Sequence, residues 1–181
     1  MHDRLRILHD PLAYYRPWSA AEPLLAGPQR SALNRWIGQA HALPPAPADP
    51  GVSHPLADRL IRTWWRIPAT AWLLACARHR RHVLGARWLP GQPPVLHAFL
   101  RMGFPESPVQ WAQPPAPDML LAWGGQQLHH GLRGQLPDWL HARLALWFVG
   151  LPDPPARAAT SAVPFDMTCF LSAWNHAADL S

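Results

Sequence analysis

Apolar side chains recur along this chain of 181 residues at intervals of three and four, which is the spacing of one face of an α-helix. The segment 31–42 shows the pattern clearly, with Ser31 as a candidate N-cap before it. Its predicted apolar face consists of Leu33, Trp36, Ile37 and Ala40. No segment alternates cleanly between apolar and polar residues, as a half-buried strand does. The pattern therefore predicts a mainly α-helical, all-α fold.

The 23 prolines mark the ends of these helices, because proline breaks the hydrogen bonding of a helix interior. Proline-rich stretches at 44–51 and 105–117 are predicted to be extended connections. Between and after them, the predicted helices span about 55–66, 69–77, 95–102, 118–132 and 137–149, followed by a last segment that Asp166 can cap. The helix 69–77 is apolar nearly all round and is expected to be the most central.

Length and composition predict one domain over 1–181, since a domain of about 150 residues is common and 49% of the chain is hydrophobic. We expect an extended N-terminal arm over 1–30, a helical half over 31–104 and a second helical half over 118–181. Within the second half, Gly124 and Gly125 interrupt a helix and predict a kink or close helix packing.

The formal charge is +5, and all 16 basic residues are arginines. Arg59, Arg62 and Arg66 follow one another at helical spacing in the segment 55–66, on a different face from its leucines. Such a stripe is ordinarily a solvated face, and its alternative role is contact with an acidic protein surface. We predict these three arginines as candidate protein-binding residues.

A second basic group, Arg78, Arg80 and Arg81, follows at the end of helix 69–77 with His79 and His82 between and after them. Cations at a helix C-terminus complement the helix dipole, which accounts for the group without any partner. We add the three arginines to the candidate protein-binding residues.

Cys76, His79 and His82 stand three residues apart on one predicted helix, which raises the question of a metal site. Zinc needs a fourth ligand and convergent side chains, and no second cluster has zinc-like spacing. Cys76 and Cys169 lie in apolar surroundings that favour core packing over nucleophilic chemistry. We therefore predict no metal, no cofactor, no small-molecule substrate and no catalytic residue.

The N-terminal sequence has no apolar stretch of signal-peptide length. The longest nearly uninterrupted apolar run, 67–77, is much shorter than the roughly 20 residues that span a bilayer. We expect a cytoplasmic protein with reduced thiols, although a disulfide stays an alternative, and any membrane association through a partner.

The N-terminal run DPLAYYRPW and the stretch 118–152 resemble two segments of the SctK family of bacterial type III secretion systems, the YscK and PscK group. The first is DPLAYYRPW, whose matching positions are Pro11, Ala13, Tyr14, Arg16, Pro17 and Trp18. The second runs from Asp118 to Pro152 and is similar to the C-terminal helix pair of that family, with matches at Trp139, Arg143, Leu144, Leu146, Leu151 and Pro152. Residues 40–117 show no residue-by-residue match.

The resemblance implies a non-enzymatic adaptor of the sorting platform, at the cytosolic face of the inner membrane. SctK proteins link the cytoplasmic domain of the ring protein SctD to the pod protein SctQ. One alternative is a helical nucleic-acid-binding protein that uses the arginine-rich helix faces, since tryptophan can stack on bases and arginine can bind phosphate. Another is an enzyme whose histidine and carboxylate or cysteine converge only in the folded chain.

Overall fold

The structure is a computed structural model that describes residues 2–18, 24–45, 54–153 and 164–180. These residues form helices and contain no β-strand, which confirms the predicted all-α class. The α-helices within the described ranges are α1 (His2–His9), α2 (Gly27–Ala40), α3 (Pro55–Arg62), α4 (Ile67–Arg78), α5 (Arg80–Leu84), α6 (Pro94–Leu100), α7 (Pro117–Gly131), α8 (Asp138–Leu144) and α9 (Met167–His176).

The N-terminal arm is helical where it is described, so the prediction of an extended arm over 1–30 is wrong. After α1, the backbone makes short 3-10 helices over Pro11–Tyr14 and Arg16–Trp18. The helix α1 has only eight residues, and a helix of that length is stabilised mainly by the tertiary packing of its apolar face. Ile7 provides that face and is buried.

Prolines move two helix boundaries away from their predicted positions. The helix α2 begins at Gly27 because Pro28 suits the first helical turn, so Ser31 lies inside the helix and does not cap it. The predicted helix 55–66 ends at Arg62, since Pro68 in the first turn of α4 clashes with a continuous helix through the carbonyl of Trp64. Of the predicted connection 44–51, residues 46–51 lie outside the described residues.

Contacts divide the chain into two compact units, each with its own core. The first unit comprises Met1–Trp65 and Leu132–Gly150, and the second comprises Arg66–Gly131 and Leu151–Ser181. These units differ from the predicted halves 31–104 and 118–181, because each unit combines segments that are distant in the sequence. A single domain over 1–181 stays a prediction.

In the second unit, α4 packs against α7, α9 and α6, which confirms its predicted central place. Leu73, Leu74 and Cys76 of α4 are fully buried. Gly124 explains how closely α7 approaches, because a Cβ built at this position would overlap the backbone carbonyl of Ala71. The predicted close helix packing is confirmed, and the Gly124 position requires glycine for lack of space.

The proline-rich connection after α6 has no regular structure, as predicted, and hydrogen bonds fasten it to the second unit. Ser107 donates its backbone N–H to the carbonyl of Arg78 at 2.7 Å. Trp111 donates its indole Nε1–H to His79 Nδ1 at 3.1 Å, and Trp88 donates its own to the carbonyl of Pro115 at 3.1 Å. The connection is therefore a packed part of the unit.

In the first unit, α8 supplies the buried side chains Leu140 and Leu144. The predicted helix 137–149 continues beyond α8 only as a 3-10 helix over Ala145–Phe148, in which Trp147 is half-buried.

In the second unit, Asp166 caps α9 as predicted, since its side chain accepts the backbone N–H of Cys169 at 3.0 Å.

Candidate functional site

The N-terminal segment that resembles the SctK family meets residues 132–150 of the second segment inside the first unit. Tyr14, from the N-terminal segment, is buried and donates its hydroxyl to the carbonyl of Ile7 at 2.6 Å. Its ring lies 5.4 Å from that of Trp64, edge to face, and 5.8 Å from that of Trp147. Such aromatic pairs stabilise a core beyond the area they bury. Residues more than 100 positions apart in sequence thus share one core.

Arg143 of α8 joins three separate parts of the same unit. It is only 4% exposed, and its guanidinium donates from Nη1 to the carbonyls of Trp139 at 2.9 Å and Pro44 at 3.0 Å. Its Nη2 donates to the carbonyl of Leu8 at 3.3 Å. Burial lowers the pKa of Arg143 from its ordinary value, and the nearby Tyr14 opposes the shift. Arginine nonetheless stays protonated in proteins, so Arg143 is a buried positive charge.

A cleft of about 380 Å³ opens beside Arg143, between α1, α2 and the start of the connection after α2. Its polar wall comes from α2 and α8, and its apolar wall from Leu8, Pro11 and the chain at Leu43, Pro44 and Pro45. The lining side chains that matter here are Ser31, Asn34, Arg35, Leu43, Pro44 and Arg143. No aspartate or glutamate is among the described residues that line it.

An ion pair holds α2 next to this cleft. Arg30 binds Asp10 with two bonds, Nε to Oδ1 at 2.9 Å and Nη2 to Oδ2 at 2.6 Å. Asn34 adds a bond from Nδ2 to Asp10 Oδ1 at 2.8 Å and accepts the backbone N–H of Leu12. Burial opposes ionisation, but the bonds from Arg30 and Asn34 outweigh it and hold the pKa of Asp10 below its ordinary value.

The predicted arginine stripe is not one continuous helix face. Arg59 and Arg62 are exposed on α3 in the first unit. Arg66 is half-buried, belongs to the second unit, and lies in a 3-10 helix after α3 has ended. The expected spacing over two helical turns fails because the helix stops at Arg62. We therefore treat Arg59 and Arg62 separately from Arg66.

Most arginines of the second basic group already bind other groups of the second unit. Arg78, expected at the surface, is 2% exposed and donates to the carbonyls of Pro105 at 3.3 Å and Pro164 at 2.5 Å. Arg80 pairs with Glu106 at 2.9 Å. The Arg81 side chain is 70% exposed, although it also lies 3.6 Å from a Glu106 oxygen. Arg78 is therefore a structural residue, and Arg81 is the member of this group that is open to a partner.

The sequence trio Cys76, His79 and His82 does not form a metal site in the described chain. Burial raises the pKa of the Cys76 thiol far above its ordinary value. His79, expected at the surface, is buried, and burial lowers its pKa to about 4, with lesser effects from His82 and Arg78. The described ranges contain no group of three potential metal ligands close enough to hold an ion.

Two of these features could not be identified from the sequence. Arg143 matched the family pattern, but nothing in its spacing indicated a buried charge. The approach of Trp111 to His79 depends on the course of a connection that lacks any periodic signal.

Among the described residues, every helix falls short of the length and apolarity that crossing a membrane would require.

These features describe a helical protein with buried polar anchors and a cationic cleft, and comparison with known proteins identifies its class. The family model described as "Bacterial type III secretion apparatus protein (OrgA_MxiK)" matches residues 4–179. The chain belongs to this family, and the resemblance to SctK proteins is confirmed. It is a component of the type III secretion apparatus.

Curated relatives agree with this assignment. The chain is 32% identical over 146 residues to "Oxygen-regulated invasion protein OrgA" from three strains of Salmonella typhimurium. The alignment covers 79% of this chain and 72% of the relative. No solved structure matches the chain.

Proposed function

We propose that this protein is a non-enzymatic adaptor of the sorting platform, at the cytosolic face of the bacterial inner membrane. In this role it links the cytoplasmic domain of the ring protein SctD to the pod protein SctQ. The observation that carries the proposal is the family match over residues 4–179, which includes nearly the whole chain. An adaptor needs two separate contact surfaces and no reacting groups.

Charge on the surface supports an acidic partner. Arg59, Arg62 and Arg81 are exposed in the folded units, and an exposed arginine can bind a carboxylate through two parallel hydrogen bonds. We propose Arg59 and Arg62 as the contact for one partner. Arg81, with Arg80 and Glu106 beside it, is proposed as part of the contact for another. Arg66, half-buried, is kept as a peripheral member of the first group.

The test is a pull-down of SctD cytoplasmic domain and SctQ from the same secretion system with the double variant Arg59→Glu and Arg62→Glu. Both side chains are exposed, so the charge reversal is expected to change stability by no more than about 0.5 kcal/mol per site. Like charges facing each other at an interface cost several kcal/mol, so binding to one partner should be lost. Melting temperature reports whether the fold survives.

The matched control is Arg133→Glu, an exposed arginine of the same unit that lies outside α3. It should leave both interactions unchanged. If the double variant binds both partners as the wild-type chain does, Arg59 and Arg62 are only a solvated face. Arg81→Glu is then the next variant to compare. Absence of wild-type binding to either partner contradicts the adaptor function itself.

A further inference from the structure

The cleft beside Arg143 contains a positive charge that the described chain does not neutralise. Arg143 is more than nine-tenths buried, and its three hydrogen bonds are to uncharged backbone carbonyls. A buried charge is ordinarily paired, because removing it from water costs free energy that a counter-charge returns. Asp10, the acid bonded to the cleft residue Asn34, already binds Arg30 through both oxygens. Among the described residues, the charge that lines the cleft is therefore net positive.

The free donors of Arg143 show how an anion could bind. Arginine has five N–H groups, of which two on Nη1 and one on Nη2 are bonded to carbonyls. The Nε atom is enclosed and has no hydrogen-bond partner in the described part of the chain. The second hydrogen on Nη2 is not bonded to a carbonyl, although the Tyr14 hydroxyl also interacts with this guanidinium. Arg35, exposed on the rim, adds a second guanidinium.

We propose that this cleft binds the carboxylate of a glutamate or aspartate side chain presented by an extended segment of a partner protein. The proposal rests on the proposed adaptor function for the existence of a protein partner. A volume of about 380 Å³ is in the range of ligand sites and exceeds a single carboxylate. Leu43 and Pro44 offer an apolar wall for the stem of the acidic side chain. The exposed guanidinium of Arg35, together with the buried charge of Arg143, supplies the selectivity for a carboxylate.

The probe is the peptide acetyl-Gly-Glu-Gly-amide, added to the isotopically labelled full chain and followed by two-dimensional NMR of backbone and arginine N–H groups. We expect saturable shifts at Ser31, Arg35 and Gly38 and at the Arg143 side chain. The matched neutral peptide, acetyl-Gly-Gln-Gly-amide, should bind at least tenfold more weakly. Inorganic phosphate at equal ionic strength tests for a general anion site, and tighter binding of phosphate than of the glutamate peptide overturns the proposal.

Variants distinguish a loss of binding in the cleft from a loss of the fold. Arg35→Glu, on the rim, should lower the affinity for the glutamate peptide at least about fivefold, since it turns an attractive exposed charge into a repulsive one. Arg133→Glu, away from the cleft, should leave the affinity unchanged. Arg143→Lys keeps the charge but loses the Nη2 donor, so it should also lower the affinity for the peptide, with melting temperature measured beside it. Equal affinity in Arg35→Glu and wild type overturns the assignment.

One competing occupant is a carboxylate of the same chain. Asp49, in a segment outside the described residues, is tested by Asp49→Asn. If this variant binds the glutamate peptide much more tightly than the wild type, the chain's own acid competes for the cleft and the proposal of a partner is wrong. Unchanged affinity supports the proposal.

The same variants distinguish a failure of the cleft proposal from a failure of the proposed adaptor function. Loss of SctD and SctQ binding in Arg35→Glu, with the fold intact, supports the cleft as a partner site. Wild-type binding of both proteins by Arg35→Glu overturns the cleft as a partner site and leaves the adaptor function standing. Absence of binding by the wild-type chain defeats the adaptor function, whatever the peptide titration shows.

Discussion

The backbone carbonyl of Ala71 in α4 lies where a side chain on residue 124 of α7 would have to be. Gly124 is buried, and the neighbouring carbonyl is backbone that cannot rotate away. Two helices of the second unit are thus in contact through their main chains. Helix packing this close depends on the absence of a single methyl group.

We expect Gly124→Ala to destabilise the protein by at least about 2 kcal/mol, because overpacking forces the helices apart. The matched control is Gly38→Ala in α2, where a Cβ would meet nothing within 4 Å. Alanine is the better helix former, so the control should be neutral or stabilising by up to about 1 kcal/mol. Urea unfolding gives both values. Equal stability of the two variants would contradict the close approach of α4 and α7.

The second stability prediction concerns Arg78, which the structure places in the interior and not at the surface as expected from the sequence. Arg78→Met should cost about 2 to 4 kcal/mol, since the carbonyls of Pro105 and Pro164 lose a charged donor. Arg81→Met removes the same charge from an exposed side chain and should change stability by no more than about 0.5 kcal/mol. Thermal or chemical unfolding of both variants gives the comparison. If Arg78→Met lowers stability as little as Arg81→Met does, the burial of Arg78 is contradicted.

How far the sequence could predict this structure is clear from three elements. The helix α4 was identified because its apolar residues cover every face. The end of α3 at Arg62 was missed, because helical periodicity continues through 63–66 while Pro68 prevents the helix from doing so. The burial of Arg78 depends on Pro105 and Pro164, residues whose approach no local pattern records.

The candidate cleft was not predictable for a similar reason. Its members come from α1, α2, α8 and the chain at Pro11 and before Pro45, and only Pro11 and Arg143 belonged to recognised motifs. Sequence periodicity indicates which face of a helix is apolar. It does not indicate which buried charge lacks a counter-charge, because that depends on the tertiary arrangement.

Buried His79 predicts a dependence of stability on pH. Burial lowers its pKa to about 4 in the folded chain, against an ordinary value near 6.5. Trp111 donates to His79 Nδ1, which requires the neutral ring. The unfolded chain therefore binds a proton that the folded chain does not between about pH 6.5 and 4. Stability from this group is present above pH 6.5 and falls with decreasing pH, by about 3 kcal/mol on reaching pH 4.

The measurement is the free energy of unfolding by urea at several pH values from 7.5 to 4. His79→Gln should lower stability at pH 7 but flatten the decrease towards pH 4, since the titrating ring is gone. His97→Gln, in α6, is the matched control and should keep the wild-type slope. A wild-type slope in His79→Gln would assign the pH dependence to other groups.

Leu144 tests the core around Arg143. It is fully buried in α8, and Leu144→Ala should cost about 2 to 5 kcal/mol, as large-to-small changes in cores do. Leu84→Ala, at a side chain 59% exposed on α5, should cost much less. Unfolding curves of the two variants measure the difference. Near-equal stability would remove α8 from the core and weaken the case for a buried charge at Arg143.

The most direct test of the adaptor role is size-exclusion chromatography with light scattering on three purified components: this protein, the SctD cytoplasmic domain and SctQ of the same system. Mixed pairwise, SctD and SctQ should elute separately, while this protein should bind each of them. With all three present, a single peak with the summed mass should appear. If the mass shows no complex of this protein with either component, the proposed adaptor function is wrong.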